Sequence, residues 1–579
     1  MRARVLLPGL LPALALALGG AAATGEIDVG YSRQTAYRVA DPDVEGLQTF
    51  FRPALEKNRK ELAGTTGVVK GFGAGDLYPQ IWLRDSATLI PLSRYLYPRE
   101  YLASWVEEHF AHQSQDGALF DWIAAGPPAH FAPWAPSARL VSPRGSPPLS
   151  ADKNTIEADQ EASAVLALCQ VFSITGDRGW LLKRVGGRPL LERAHQALQF
   201  LLTRRFDPRL GLVTSGFSAD WGDVSPAHAD QQAIYLDART PQVAGLYTNA
   251  LFHGAATRLA DVYASVGNKE RAAYWRSRAE GVKARLNERL WQESRGFYRL
   301  HLPAGRVPPP AFDDSDTFAM GGNALAILTG VADERKTRRI LKVAEKRRKA
   351  AAVSTIAGAL LPPYPRGLFQ HPAMREEYAY QNGGQWDWFA GRLLSAAFDR
   401  GQARWAYPHL VDVAKKAVAC GGLYEWHTRE GRGKGSSSYA GSAGALAGAV
   451  FEGLFGVSLT AERLALTVRL GERPGRIHLY QPATDTYVAY DYRPTGSVLT
   501  LRYRSNHPRP GKVSVLIPAG RRVERARLDG KNAALESFTT GDDAYATLPT
   551  DWGAHRLDLH LSAPPTPSPG PSPGGRSGP

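Results

Sequence analysis

The stretch Gly441-Ser442-Ala443-Gly444-Ala445-Leu446-Ala447-Gly448-Ala449-Val450 decides how the rest of the chain is read. It carries no charge, and most of its side chains are no larger than a methyl group. A helix that is apolar all round is buried on every side. Such a helix suits the inner layer of a ring of helices. Outward from it, a 3.6-residue apolar period recurs from about residue 44 to 456. The segments are 44–62, 87–96, 100–112, 155–175, 190–203, 241–266, 270–290, 316–328, 336–350, 385–397, 404–418 and 442–454. In 241–266 the period is carried by Val243, Leu246, Tyr247, Ala250, Leu251, Leu259, Val262 and Tyr263. Twelve helices paired as six hairpins close into an (α/α)6 toroid. Its outer helices should be amphipathic, as 270–289 and 335–349 are. An α-solenoid is the competing helical architecture, but no fixed-period repeat occurs.

Near Val457 the pattern changes to alternation, as in Val498-Leu499-Thr500-Leu501-Arg502-Tyr503-Arg504 and Lys512-Val513-Ser514-Val515-Leu516-Ile517. That predicts an antiparallel β-domain, a small sandwich, over 458–562. Residues 563–579 are mostly Pro, Ser and Gly and cannot bury a core. At the other end, residues 1–23 read as a secretory leader. Arg2 and Arg4 precede an apolar run, and Ala21-Ala22-Ala23 offers small residues for cleavage. The expected product is therefore secreted or periplasmic. An extended segment, 24–43, precedes the helical domain, 44–457. Residues 126–151 hold seven prolines and read as an ordered loop over one face of the ring.

The chain has 579 residues, enough for one large and one smaller domain. No later stretch approaches the roughly 18 apolar residues of a membrane span. Cys169 lies in an apolar helical run and reads as a buried free thiol, with a bridge to Cys420 as the alternative. The formal net charge is +15, and residues 335–349 alone hold nine Lys and Arg. That run reads as a solvated outer helix face. No aromatic or groove-reading element stands beside it to suggest nucleic acid. Attraction to an anionic polysaccharide or membrane surface stays open. The expected oligomeric state is a monomer.

Four loop-like stretches at helix ends concentrate Trp, Asp, Glu, Asn and Gly. The first is Tyr78-Pro79-Gln80-Ile81-Trp82-Leu83-Arg84-Asp85-Ser86. There Arg84 and Asp85 form either an ion pair at a helix start or a grip on vicinal sugar hydroxyls. The second is Ala219-Asp220-Trp221-Gly222-Asp223-Val224-Ser225-Pro226. It reads either as a polar turn or as a carboxyl group beside an aromatic wall, which raises a carboxyl pKa as a general acid requires. The third is Tyr378-Ala379-Tyr380-Gln381-Asn382-Gly383-Gly384-Gln385-Trp386-Asp387-Trp388, amide-rich and suited to hydroxyls. The fourth is Gly421-Gly422-Leu423-Tyr424-Glu425-Trp426-His427, where Glu425 stands as a candidate general base. Competing chemistries lack their motifs. There is no GxGxxG, HExxH or CxxC, and Ser442 lacks the first Gly of a GxSxG elbow.

The order Trp-Leu-Arg-Asp, Trp-Gly-Asp, Gln-Asn-Gly-Gly-x-Trp, Tyr-Glu-Trp and Gly-Ser-Ala-Gly resembles the six-hairpin glycosidases. Those are the glucoamylases, the amylo-α-1,6-glucosidase part of debranching enzymes, and the trehalase and processing-glucosidase clans. The resemblance implies that Trp82, Arg84 and Asp85 hold the sugar, that Asp223 is the general acid with Asp220 its rival, and that Glu425 is the general base. Asp220, Gln381 and Asn382 would bind hydroxyls, and Trp82, Trp221, Trp386 and Trp426 would stack. It implies an inverting glycoside hydrolase acting on a terminal, α-glucosidic linkage of an oligo- or polysaccharide, without a cofactor. Glu425-Trp426-His427 departs from the usual Glu-Asn-Tyr, which leaves the subfamily open. A rhamnosidase-like exo-glycosidase, a phosphorylase and a non-catalytic glycan binder are the alternatives.

Overall fold

The computed structural model describes residues 29–563. The expected leader and the Pro-rich tail beyond Ala563 lie outside them. Among the described residues are fourteen α-helices. They are α1 Pro42–Gly46, α2 Gln48–Asn58, α3 Leu83–Ser93, α4 Glu100–Ala111, α5 Gln160–Thr175, α6 Arg178–Leu182 and α7 Leu190–Arg204. Then come α8 Leu246–Ser265, α9 Lys269–Arg289, α10 Met320–Leu328, α11 Glu334–Ala350, α12 Asp387–Asp399, α13 Ala403–Cys420 and α14 Ala440–Gly448.

Six of these form a closed cycle of neighbours. Helix α3 packs on α5, α5 on α8, α8 on α10, α10 on α12, α12 on α14, and α14 back on α3. Every residue of α14 is buried, as are Met320 to Ile327 of α10. Of the helices between them in sequence, α9 and α11 each bury a single stripe, whereas α4 is buried over most of its surface. In α9 that stripe is Ala272, Trp275, Ala279, Val282 and Leu286, at helical spacing. In α11 it is Thr337, Ile340, Leu341 and Ala344, and the basic residues face outward. Many of those are paired: Arg335 and Arg339 with Glu293, Arg347 with Asp316, Arg348 and Lys349 with Glu345.

The small residues of α14 set how tightly the cycle closes. A Cβ at Gly444 would stand 2.5 Å from the Thr88 carbonyl oxygen and 2.7 Å from the Leu89 Cα of α3. A Cβ at Gly391 of α12 would stand 2.6 Å from the Ala445 carbonyl carbon. Both are backbone contacts, which a side chain cannot relieve by changing rotamer.

Several boundaries differ from the sequence expectation. The first long helix ends at Asn58, whose amide binds the Ala54 and Ser438 carbonyls. Residues 59–72 then form a hairpin, Arg59–Gly64 with Gly67–Phe72, whose turn donates to the Glu108 carboxylate through the Thr65 and Thr66 N–H groups. The expected helix starts at 155, 241 and 316 move to Gln160, Leu246 and Met320. In the latter two a short strand, Gln242–Gly245 or Phe318–Ala319, occupies the apolar positions before the helix. Residues 126–151 are ordered. Their strands join Ile81–Trp82 and Trp122–Ala125 in a four-stranded sheet, with Phe131 and Ala135 buried against Trp122.

From Val457 onward the described residues hold strands and no α-helix. They form a seven-stranded and a five-stranded sheet. Pairing is antiparallel except between Leu464–Val468 and Gly511–Ile517, which run parallel, a departure from the all-antiparallel expectation. The seven-stranded sheet also takes in Ala36–Val39 from the N-terminal side, paired with Gly475–Gln481. Cys169 is buried, and neither it nor Cys420 is bonded to another cysteine. No helix of the described residues is long and apolar enough to cross a membrane.

Backbone contact at Gly444 sets a test. Gly444→Val should cost about 1–3 kcal/mol through overpacking and lower the Tm. The same change at Gly187, with nothing near its Cβ position but φ of +86°, should act only through backbone strain. Calorimetry on both variants checks the comparison.

Candidate active site

The four stretches meet at the N-terminal ends of the inner helices. Arg84 and Asp85 lie in the first turn of α3, Trp386 caps α12, and Tyr439 caps α14. The loop before α5 adds Glu157 and Asp159.

Arg84 is buried. One nitrogen, Nη1, bridges Glu157 at 2.8 Å, Asp159 at 3.2 Å and the Trp221 carbonyl at 3.1 Å. Its neighbour Asp85 instead accepts from the Tyr439 hydroxyl at 2.6 Å. Of the two readings of this motif, the internal Arg84–Asp85 ion pair is not formed: each side chain has its own partners. Glu157 and Asp159 were missed because the segment from 155 reads as helix. Together with Asp121 they surround one guanidinium with an excess of carboxylates. Burial drives Glu157 far above the ordinary carboxylate range and pushes Asp121 up to about 8.

The Asp220–Ser225 loop is shaped by strain and close approach. Asp220 has φ of +56°, rare for a residue with a side chain. Its carboxylate accepts the Gly322 N–H at 2.9 Å in the first turn of α10. A Cβ at Gly321 would strike it at 2.5 Å. Asp220 is thus bound by the backbone at the start of α10, and burial pushes its pKa up to about 7. Gly222 leaves no room for a Cβ, which would stand 2.4 Å from Ser218 Oγ and 3.0 Å from Gln381 Oε1. Asp223 is fixed through its backbone: its N–H donates to Gln381 Oε1 at 3.3 Å, and its carbonyl accepts from Asn154 at 2.8 Å. Its carboxylate oxygen Oδ1 is buried and has no protein partner.

Glu425 is 4% exposed. The Tyr78 hydroxyl stands 3.0 Å from both carboxylate oxygens, and the Ser436 N–H donates to Oε2 at 3.2 Å. Gly435, at φ of +69°, packs so closely that a Cβ would lie 2.3 Å from Oε2. Ser436 in turn donates to Asp76 Oδ1 at 2.5 Å, tying the loop to the stretch before Tyr78. Burial pushes Glu425 up to about 7, and the charges of Asp85 and Asp223 act the same way. Tyr78 stands at the head of the first loop-like stretch, but nothing in sequence spacing links it to a residue so distant.

The amide and Trp stretch divides. Gln381 orients Asp223. Asn382 is fully buried, binding the Tyr364 N–H and the Tyr364, Met374 and Glu376 carbonyls, so it is scaffold and not a hydroxyl ligand. Trp386 is also a correction: it is 2% exposed, donates to the Tyr380 carbonyl and packs edge-on to Trp221. Trp221 lies over Phe389 with ring centres 4.0 Å apart. These two rings are walls and not open stacking faces. Trp82 and Trp426 are half-buried, and Trp82 Nε1 is unpartnered. Tyr380, with φ of +44°, adds strain where the charges of Asp223 and Glu425 both reach it.

Residues 78–439 match the family model of the mannosylglycerate hydrolase MGH1-like glycoside hydrolase domain. A search of curated proteins gives no match. Among solved structures, an alpha-L-rhamnosidase from Dictyoglumus thermophilum superposes with TM-score 0.57 at 11% identity, covering 91% of this chain and 50% of that one. A GH78 family rhamnosidase of Bacillus sp. GL1 gives 0.55 at 14%, covering 84% and 43%. The chain thus spans half or less of those rhamnosidase chains. A GH63 mannosylglycerate hydrolase from Thermus thermophilus, in complex with glucose, gives 0.51 at 18%, covering 70% of this chain and all of that one. At these identities the likeness is one of fold.

A buried carboxyl with a raised pKa opposes folding once ionised. Glu425's contribution to stability is full below its ordinary pKa of 4.5 and is lost as pH rises through about 7. Glu425→Gln should therefore gain on the wild type as pH rises over that window, by up to about 3 kcal/mol. Urea melts at pH 4.5, 6 and 8 check it. A constant difference would show that Glu425 is not held this way.

Proposed function

We propose that this chain, which belongs to the MGH1-like glycoside hydrolase family, hydrolyses a terminal α-glycosidic linkage with inversion. The supporting observation is the pairing of two differently held carboxyls on separate loops. Asp223 presents an oxygen without a protein partner, and Glu425 is clamped by Tyr78 and Ser436. In this reading Asp223 gives a proton to the glycosidic oxygen. Glu425 removes one from a water that attacks the anomeric carbon from the opposite face. Such pairs stand about 6.5–9.5 Å apart. Asp85, Trp82 and Trp426 would contact the sugar, with Arg84 positioning the acid loop from behind. The ring of helices is read as an (α/α)6 toroid over 44–457 with a β-sandwich over 458–562. The enzyme is read as an exported monomer.

Which sugar is cleaved is decided by assay. Aryl α-glucosides, α-mannosides and α-L-rhamnosides, α-glucans and mannosylglycerate form the panel, and NMR follows the first anomer released. A retained anomer would overturn the inverting mechanism. Dependence of turnover on phosphate would mean a phosphorylase. Asp223→Asn and Glu425→Gln should each lower kcat by about 10²–10⁴ on the true substrate. Full activity in both would sink the assignment.

The pH profile gives a separate check. A base that titrates at about 7 makes kcat/KM fall as pH drops below that value. The Tyr78 hydroxyl favours the charged form of Glu425, so Tyr78→Phe should move this limb to higher pH. An unmoved limb would show that Tyr78 does not tune the base.

A further inference from the structure

The outward face of the seven-stranded sheet holds far more positive than negative charge. Register places Arg38 opposite Arg476, and Arg502 opposite Arg556. On the same face stand Arg493, Arg504, Arg525 and Arg527, in phase with them. Their alternation partners point inward: Tyr490, Tyr492, Leu501, Tyr503, Leu557 and Leu559 are all buried. Eight arginines thus share a face with two carboxylates, Asp491 and Asp558. Asp491 pairs with Arg493 and Asp558 with Arg556, and Glu45 reaches Arg38, so local pairing offsets only part of the charge. Glu524 lies at the bulge beside Arg525. Asp491 also stands directly opposite Arg476 and Arg502, and Asp558 opposite Arg527, yet eight arginines still face only these two aspartates and the nearby Glu45 and Glu524.

We propose that this face binds an acidic polysaccharide. Three features select that partner. Every cation on these outward strand positions, apart from His478 and His560, is an arginine, whose planar fork matches carboxylate and sulfate groups. Neighbouring strands lie about 4.8 Å apart, so arginines on successive strands form a two-dimensional array suited to a chain with repeated anionic groups. At one end Arg504 and Tyr487 open into a surface hollow of about 490 Å³, beside Tyr31, which is 50% exposed, and Asp551. An exposed ring next to a guanidinium suits a sugar. A lipid surface would call for large apolar side chains to insert, and the outward strand positions present none exposed. The face is separate from the loops around Asp223 and Glu425, and the proposal does not depend on their chemistry.

The test uses the full chain in affinity electrophoresis and calorimetry against polygalacturonate, dextran sulfate, neutral dextran and phosphatidylserine vesicles. Binding to at least one acidic polysaccharide is expected, with none to neutral dextran and with weakening as salt rises. The variant Arg502→Gln/Arg504→Gln/Arg525→Gln/Arg527→Gln should bind at least tenfold more weakly. Its Tm and its turnover of a small aryl glycoside should match the wild type. The double variant Arg504→Gln/Arg527→Gln, at two exposed sites, should lose part of the affinity and serves if the quadruple variant does not fold. Equal binding to neutral dextran, unchanged affinity in the variants, or tighter binding to the vesicles would each overturn the proposal.

Discussion

The structure depends on how closely α14 can approach α3 and α12. Backbone meets backbone at Gly444 and Gly391, and only glycine allows it. That contact closes the cycle of inner helices. Closure in turn brings their N-terminal ends, and the loops before them, to one place. The charges of Asp85 and Asp223 then bear on Glu425 from far away in the sequence.

Behind these carboxyls, Arg84 links α3, the loop before α5 and the Trp221 carbonyl through one nitrogen. A lone buried cation would be costly, and so would the carboxylates around it. Together they pin the backbone just before Asp223. A further layer holds the opposite side: Asp76 fixes Ser436, which fixes Glu425 together with Tyr78. The two candidate carboxyls are thus supported differently. Asp223 is held by its main chain, which leaves an oxygen unclaimed. Glu425 is held through its carboxylate itself.

Much of this was legible in the chain. The apolar run at 441–450 marks an inner helix because burial on all sides leaves no polar stripe. The switch to alternation near Val457 follows from the period of a strand. The loops showed themselves as Gly, Asp and Trp in company that a core would not choose. Glu157 and Asp159 stayed hidden, since a carboxylate near a helix start looks the same whether it caps or binds a distant arginine. Asn382 and Trp386 were misread for a related reason. Composition cannot say whether an amide or an indole finds its partners within the protein, and here Asn382 finds four. The positive φ of Asp220 has no sequence signal at all.

The pairing of Ala36–Val39 with Gly475–Gln481 bears on how the molecule is made. A segment near the start of the described chain has its sheet partner more than four hundred residues later. Helix α3 likewise waits for α14. On the ribosome, then, neither the cycle of helices nor the larger sheet can close until most of the polypeptide has emerged. Early inner helices such as α3 and α5 are exposed apolar surface until that moment. A chain ended early would therefore lack the partners of its first inner helices.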